Sequence, residues 1–268
     1  MRRAGLIRNV YLPRYAWAVP VDHFPSTHAT WLDAQLTLAD DGDGASAVAQ
    51  DARRALRQHV MARYHQPLRV YVKGSSLREL GEADDLVAGF FADRVGSPSF
   101  LSEWRASGMP LRRWLMNGIG YYGRGVLRDR MRDRLRQADA GVRDPSATTI
   151  DASPLDLIPD NREAEQDFDE AWALEILNAA HERVHADLDA AGRLDEYEVF
   201  RRHVIDGVEY AVIGADLGLT RQQCANCVRR VSDRVREALR DVLRAEGIPG
   251  SELDGELSRI RRLLGDQG

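Results

Sequence analysis

Cysteine is scarce in this sequence: Cys224 and Cys227 are the only two among 268 residues. Two thiols three positions apart do not make the disulfide framework of a small secreted domain. No apolar run approaches the roughly 20 residues needed to cross a bilayer. The start, MRRAGLIRNVYLPRYAWAVP, has early arginines but no sustained apolar core of a signal peptide. Cytoplasmic residence without membrane association is therefore the expectation. The sequence also has no internal repeat, no low-complexity tract, no convincing strand alternation, no Gly-rich phosphate loop and no nucleophile elbow. What is left is 44% hydrophobic and 29% charged, the composition of a globular protein. Its length suits one large or two small domains.

The net charge of −5 conceals unlike segments. From Leu111 to Arg136 eight Arg face only Asp129 and Asp133, a local charge of +6. From Arg201 to Arg244 nine Arg face six acids, a charge of +3. Between them, from Gln137 to Phe200, four Arg face seventeen acids, a charge of −13. A basic, acidic, basic alternation fits two units that face nucleic acid, joined by an acidic connector that keeps them apart or shields them.

The most informative stretch is EYAVIGADLGLTRQQCANCVRRVSDRVREALR, Glu209 to Arg240. Tyr210, Ile213 and Leu217 lie at three- and four-residue spacing, which predicts a short helix. Gly218 supplies a left-handed end and Thr220 a good N-cap for a second helix. From there Cys224, Val228, Val231, Val235, Leu239 and Val242 form one stripe of a long amphipathic helix. The opposite face carries Gln222, Asn226, Arg229 and Arg230. Amides and guanidinium groups read base edges, and arginines also hold phosphates. A short helix, a Gly turn and a second helix with this outer face make a helix-turn-helix signature.

The rest of the chain reads as helices too. Ser26 and Thr27 precede a short helix with Trp31, Leu32 and Leu36, and DDGDGAS (Asp40 to Ser46) is a loop. Ala47 to Lys73 is helical, with a kink or a new start expected at Pro67. Ala83 to Val95 opens on acids, as a helix N-terminus prefers, and carries Leu86, Val87, Phe90 and Phe91. A short helix holds Phe100, Leu101 and Trp104. Met109 to Gln137 is arginine-rich, and Arg162 to Asp189 is acidic and amphipathic. Further helices are expected from Leu194 to Asp206 and in the tail. The expected fold class is all-α. It comprises an extension over 1–46, a first helical domain over 47–137, a linker over 138–165, a second domain over 166–246 and a tail helix over 247–268.

Four stretches, in this order, carry a family resemblance. They are FPSTHATWL; YHQPLRVYV with EADDLVAGFFADRV; FLSEWRASGMPLRRWLMNGI; and AWALEILNAAHERVHADLDAAGRLDEYEVFRRHV running into the helix-turn-helix. The chain resembles extracytoplasmic-function (ECF) sigma factors, the small subunits that direct bacterial RNA polymerase to promoters. No single motif is specific; their order and spacing carry the likeness over most of Phe24 to Glu246.

The resemblance implies that the first domain binds the polymerase clamp through Asp84, Asp85, Leu86, Phe90 and Phe91. It also implies that the arginine-rich helix meets the melted minus-ten strand through Arg112, Arg113, Trp114, Tyr121, Tyr122, Arg124 and Arg128. π-faces and positive charge suit unpaired bases. The second domain holds the minus-thirty-five element through Gln222, Gln223, Asn226, Arg229 and Arg230, with Arg221 and Arg234 on phosphates. The implied partners are core RNA polymerase, promoter DNA and an anti-sigma factor. No catalysis and no cofactor are implied. The chain departs from the family pattern at Gly118, Gly120, Gly123 and Gly125, where each internal glycine costs roughly 1 kcal/mol relative to Ala. That segment is expected to break, or to order only on binding.

Two other constellations compete. Cys224 and Cys227 have the spacing of half a zinc or redox site, but no second pair exists. His181, Glu182 and His185 match HExxH, which in a zincin needs a third ligand and a cleft. The alternatives to the sigma reading are thus a stand-alone helix-turn-helix regulator, dimeric on a palindrome, and a metallopeptidase with stoichiometric zinc.

Overall fold

The structure, a computed structural model, describes residues 34–39, 46–139 and 162–265. The helix start at Ser26 and Thr27, the loop at 40–45 and the linker over 140–161 lie outside the described residues. Among the described residues the fold is all helix, with no strand. Helix α1 covers 34–39. Helix α2, Ala47–Gly74, opens on Ser46, whose hydroxyl accepts from the Ala49 N–H at 3.1 Å. After a 3-10 turn at Ser76–Leu80 comes α3, Ala83–Phe90, which runs on through a π turn at Phe91–Val95. Helices α4, Pro98–Ser107, and α5, Leu111–Asp139, complete the first half. The second half holds α6, Arg162–Ala190, and α7, Leu194–Phe200, with a π turn at Arg201–Ile205. It continues with α8, Tyr210–Leu217, α9, Arg221–Ala245, and α10, Leu253–Gly265.

Pro67 does not interrupt α2. The helix runs unbroken past it, giving up the hydrogen bond that proline cannot donate. Pro67, Leu68, Tyr71 and Val72 are all buried, so the last two turns are held by packing. Burying side chains of this size stabilises by roughly 1.5–3 kcal/mol each, enough to offset the loss.

The glycines of α5 do not break it either. A Cβ at Gly118 would stand 3.0 Å from the Phe90 ring, and one at Gly123 would stand 2.5 Å from Leu77 Cδ2. At those two positions the missing side chain lets α3 and the 3-10 turn approach the α5 backbone. The expectation of a broken segment is corrected, because packing on these neighbours outweighs the propensity cost.

The core does not stop at the boundary expected over 138–165. One cluster joins Tyr64, Leu68 and Val72 of α2 and Leu115 and Ile119 of α5 to Phe168, Trp172 and Ile176 of α6. Val242 and Leu243 of α9 and Ile260 of α10 belong to it as well. The C-terminal half of α6 turns instead to α7 and α9, through Ala180, Val184 and Leu188 against Phe200, Val231 and Val235. A third, small cluster of Val199, Ile213, Cys224 and Cys227 seats α8 on α9. Helix α6 is therefore shared by both halves.

Candidate functional site

The α8–α9 junction is built from its backbone outward. Gly218, at φ 68° and ψ 29°, takes the left-handed conformation that ends α8. The Leu219 N–H donates to the Gly214 carbonyl at 2.9 Å, closing the turn. Thr220 then caps α9: its hydroxyl accepts from the Gln223 N–H at 3.2 Å, while Gln223 Oε1 accepts from the Thr220 N–H at 2.8 Å. This reciprocal pair is a capping box. Behind the turn, the His203 ring stacks on Tyr210 at 3.8 Å, and its Nδ1 lies 2.9 Å from the Val208 carbonyl oxygen, fixing where α8 begins.

The outer face of α9 sorts its candidates. Arg221, Gln222 and Arg229 are exposed, Asn226 and Arg234 half-buried. Gln222 Nε2 donates to Asn226 Oδ1 at 3.2 Å, so the two amides stand side by side, one turn apart. Gln223 is exposed, but its carboxamide oxygen is used in the cap. Arg230 is exposed and also paired. Its Nε donates to Glu196 of α7 at 3.1 Å, and its NH2 reaches the Cys227 sulfur at 3.4 Å. Glu196 also accepts two 2.9 Å hydrogen bonds from Arg193. Burial works to raise the Glu196 pKa, but the Arg230 and Arg193 hydrogen bonds outweigh it and hold the carboxyl below its ordinary value. Arg230 fastens α7 to α9.

On α5 the expected row of seven divides by helical phase. Arg112 is only 6% exposed, with NH1 2.9 Å from Glu256 of α10, Nε 3.8 Å from Asp169 of α6, and its guanidinium 4.5 Å above the Trp172 ring. Arg113 pairs with Glu165 at 2.9 Å and with Asp169 at 3.6 Å. Trp114 is half-buried, its ring centroid 5.8 Å from that of Phe100. Tyr122 packs 6.1 Å from Phe90, and burial, with Asp93 beside it, pushes its hydroxyl pKa up. Burial removes Arg112 from the expected contact surface, and the other three pair or pack on one side, their phase on α5 turning them toward α3, α4 and α6. Tyr121, Arg124 and Arg128 fall on the other side. Tyr121 is 63% exposed, Arg124 lies 4.9 Å above its ring, and Arg128 is exposed one turn on.

The expected clamp surface divides likewise. Leu86, Phe90 and Phe91 are buried, and Phe90 packs between Phe91, Phe100 and Tyr122. Helix α3 has one apolar stripe, and the core takes it. Asp84 and Asp85 remain exposed; Asp84 pairs with Arg69 at 3.0 Å.

No family model, no curated protein and no solved structure matches the chain.

Both cysteines are free and buried, and burial pushes the Cys227 thiol up. His181 Nδ1 lies 3.3 Å from the Tyr197 hydroxyl, and His185 packs edge-on against the same ring at 5.0 Å. Burial lowers the His181 pKa. Among the described residues no three His, Cys, Asp or Glu side chains come together to hold a metal ion, and no helix is long and apolar enough to cross a membrane.

Sequence reasoning missed a polar seam between the halves. The buried Tyr64 hydroxyl donates to Glu246, at the end of α9, and Arg63 Nε lies 3.7 Å from the same carboxylate. Burial pushes both the Tyr64 and the Glu246 pKa up. Arg63 also donates to the Glu175 carbonyl at 3.1 Å, and Arg259 of α10 pairs with Asp169. No local signal marks these residues, since the partners are distant in sequence.

Proposed function

We propose that the chain is an ECF-type sigma factor that binds core RNA polymerase, directs it to promoters and performs no chemistry of its own. One observation carries the reading. The left-handed Gly218 and the Thr220 capping box set the start of α9 so that Arg221, Gln222, Asn226 and Arg229 crown its exposed end. In a helix-turn-helix the first turns of the second helix enter the major groove. There the paired amides of Gln222 and Asn226 suit an adenine edge, and Arg221, Arg229 and Arg234 suit phosphates or guanine. Supporting it on α5 is the strip of Tyr121, Arg124 and Arg128, a stacking surface with two positive charges for an unpaired strand. Asp84 and Asp85 are the acids available to a basic polymerase surface. Two modest DNA contacts suffice when tethering makes the second one intramolecular. An anti-sigma factor is a further partner on this reading.

A second reading is favoured by the burial of Leu86, Phe90 and Phe91. With the apolar clamp candidates inside the core, the chain is instead a DNA-binding regulator that acts without polymerase. Co-purification with core polymerase, run-off transcription and footprinting decide between them. The sigma reading expects a monomer that binds core and protects two unlike promoter elements. No binding to core, with a dimer on a palindrome, overturns it in favour of the regulator.

A further inference from the structure

The outer face of α9 carries two amides that orient each other. Gln222 Nε2 donates to Asn226 Oδ1 at 3.2 Å, across one helical turn. A free carboxamide turns over and offers either its oxygen or its nitrogen. Here the bond removes that choice. It holds the Gln222 nitrogen toward Asn226 and leaves Gln222 Oε1 as the acceptor. Asn226, whose oxygen takes the bond, keeps both N–H groups of Nδ2 to donate. The neighbouring Gln223 offers no further acceptor. Its Oε1 already accepts from the Thr220 N–H at 2.8 Å and from the Thr220 hydroxyl at 2.9 Å. The bearing of the pair is set from behind, where Ile213, Cys224 and Cys227 seat α8 on α9 and Arg230 ties the flank of α9 to Glu196 of α7. Side chains ordered before binding lose less freedom when they bind.

An acceptor and a donor on one helix face complement one base edge. In the major groove adenine presents its N6 amino donor next to the N7 acceptor. Guanine and thymine put an acceptor, O6 or O4, where the Gln222 oxygen would meet a donor, and cytosine has the amino donor without N7. One N6 hydrogen of a paired adenine is held by thymine, so the groove hydrogen is the one left to read. A methyl group on N6 replaces that same hydrogen, because the base pair keeps the other.

We propose that Gln222 and Asn226 together read one adenine, and that a methyl group on N6 of that adenine turns the protein away from its site. Gln222 Oε1 accepts from the N6–H, and Asn226 Nδ2 donates to N7. On the methylated base Gln222 Oε1 faces a methyl group and is left without a donor in a desolvated contact. The chain thus responds to the adenine methylation of the DNA as well as to its sequence. This rests on the DNA-binding role of α9 proposed above, which both readings of the function share.

The test begins by selecting duplex sites from a random-sequence pool with the full chain, alone and mixed with core polymerase. In the recovered site each adenine is replaced in turn by N6-methyladenine and by 7-deazaadenine, which has carbon in place of N7. At one position both replacements are expected to weaken binding by about ten-fold, the scale of one good base contact. Gln222→Ala is expected to bind the unmodified site more weakly and to distinguish it from the N6-methyl site by less than about two-fold, as coupling between the two groups requires. Asn226→Asp keeps an acceptor for Gln222 but loses the donor, and the 7-deaza effect is expected to vanish with it. A site at which no adenine responds to both replacements overturns the proposal and leaves DNA binding by α9 standing. Methyl sensitivity that survives in Gln222→Ala overturns it as well. If no sequence is enriched with or without polymerase, α9 does not read DNA, and the proposed function and the adenine contact fall together.

Discussion

The glycines of α5 offer a test whose sign changes within eight residues. Gly125→Ala places its Cβ where nothing lies within 4 Å, so only helix propensity acts. The gain is about 1 kcal/mol. Gly118→Ala gains the same propensity, but its Cβ lands 3.0 and 3.1 Å from two Phe90 ring atoms and 3.4 Å from Phe100. Carbon atoms prefer about 3.5–4.0 Å, and the Phe90 ring is fully buried, packed against Phe91, Phe100 and Tyr122. Overpacking of this kind costs about 1–3 kcal/mol, which leaves Gly118→Ala between neutral and roughly 2 kcal/mol destabilised. Urea unfolding of the two single variants measures the difference, with the m-value checking that the unfolding surface is unchanged. The two midpoints are expected to part in opposite directions by about 1–3 kcal/mol in total. Equal stabilisation by both would show that Gly118 does not lie against Phe90. A destabilising Gly125→Ala would show that α5 is not helical there.

Other residues carry tests of their own. Thr220→Ala removes the capping box and is expected to cost about 1 kcal/mol in thermal or urea unfolding, with Thr220→Ser recovering most of it. Glu256→Gln takes from the buried Arg112 its 2.9 Å carboxylate partner, and calorimetry is expected to show a loss of about 3–5 kcal/mol, as for one partner removed from a buried pair. His181 is held below its unfolded value by burial, so the unfolded chain binds the extra proton as pH falls below about 6.5. Melting temperature should drop on acidification through that window, at no more than about 1.4 kcal/mol per pH unit, and His181→Gln should flatten the drop. Tyr121→Ala is expected to weaken fluorescence-detected binding of an unpaired promoter strand by about 1–3 kcal/mol without changing stability, whereas Trp114→Ala should destabilise the fold.

Local structure was legible because its causes are local. The apolar stripe from Cys224 to Val242 located α9, and Gly218 and Thr220 marked its start. The acids at Asp84 and Asp85 marked the start of α3. What each face meets was not legible. A stripe such as Phe168, Trp172 and Ile176 announces that a helix is covered, but not that α2 of the other half covers it. Arg112 and Arg128 look alike in sequence, both basic and both on α5. One is buried beneath Glu256 and the other is exposed, and only the helix that lies over them distinguishes the two. Phe90 and Phe91 were equally fit for a docking surface or a core, and Phe90 settled in the core because Gly118 opened a place for it. Pro67 shows the converse case, in which a correct local rule lost to burial.

Helix α6 has a mechanical role beyond its packing. Its 29 residues extend for roughly 43 Å at the α-helical rise. One end is clamped against α2 and the other against α7 and α9. A rigid rod held this way is a lever. A tilt of roughly 5° where α9 grips it sweeps the far end by roughly 3–4 Å over that length, about the reach of an ion pair. A small adjustment of α9 on whatever it holds would therefore arrive at Glu165 and Asp169 as a displacement large enough to change which arginines they touch.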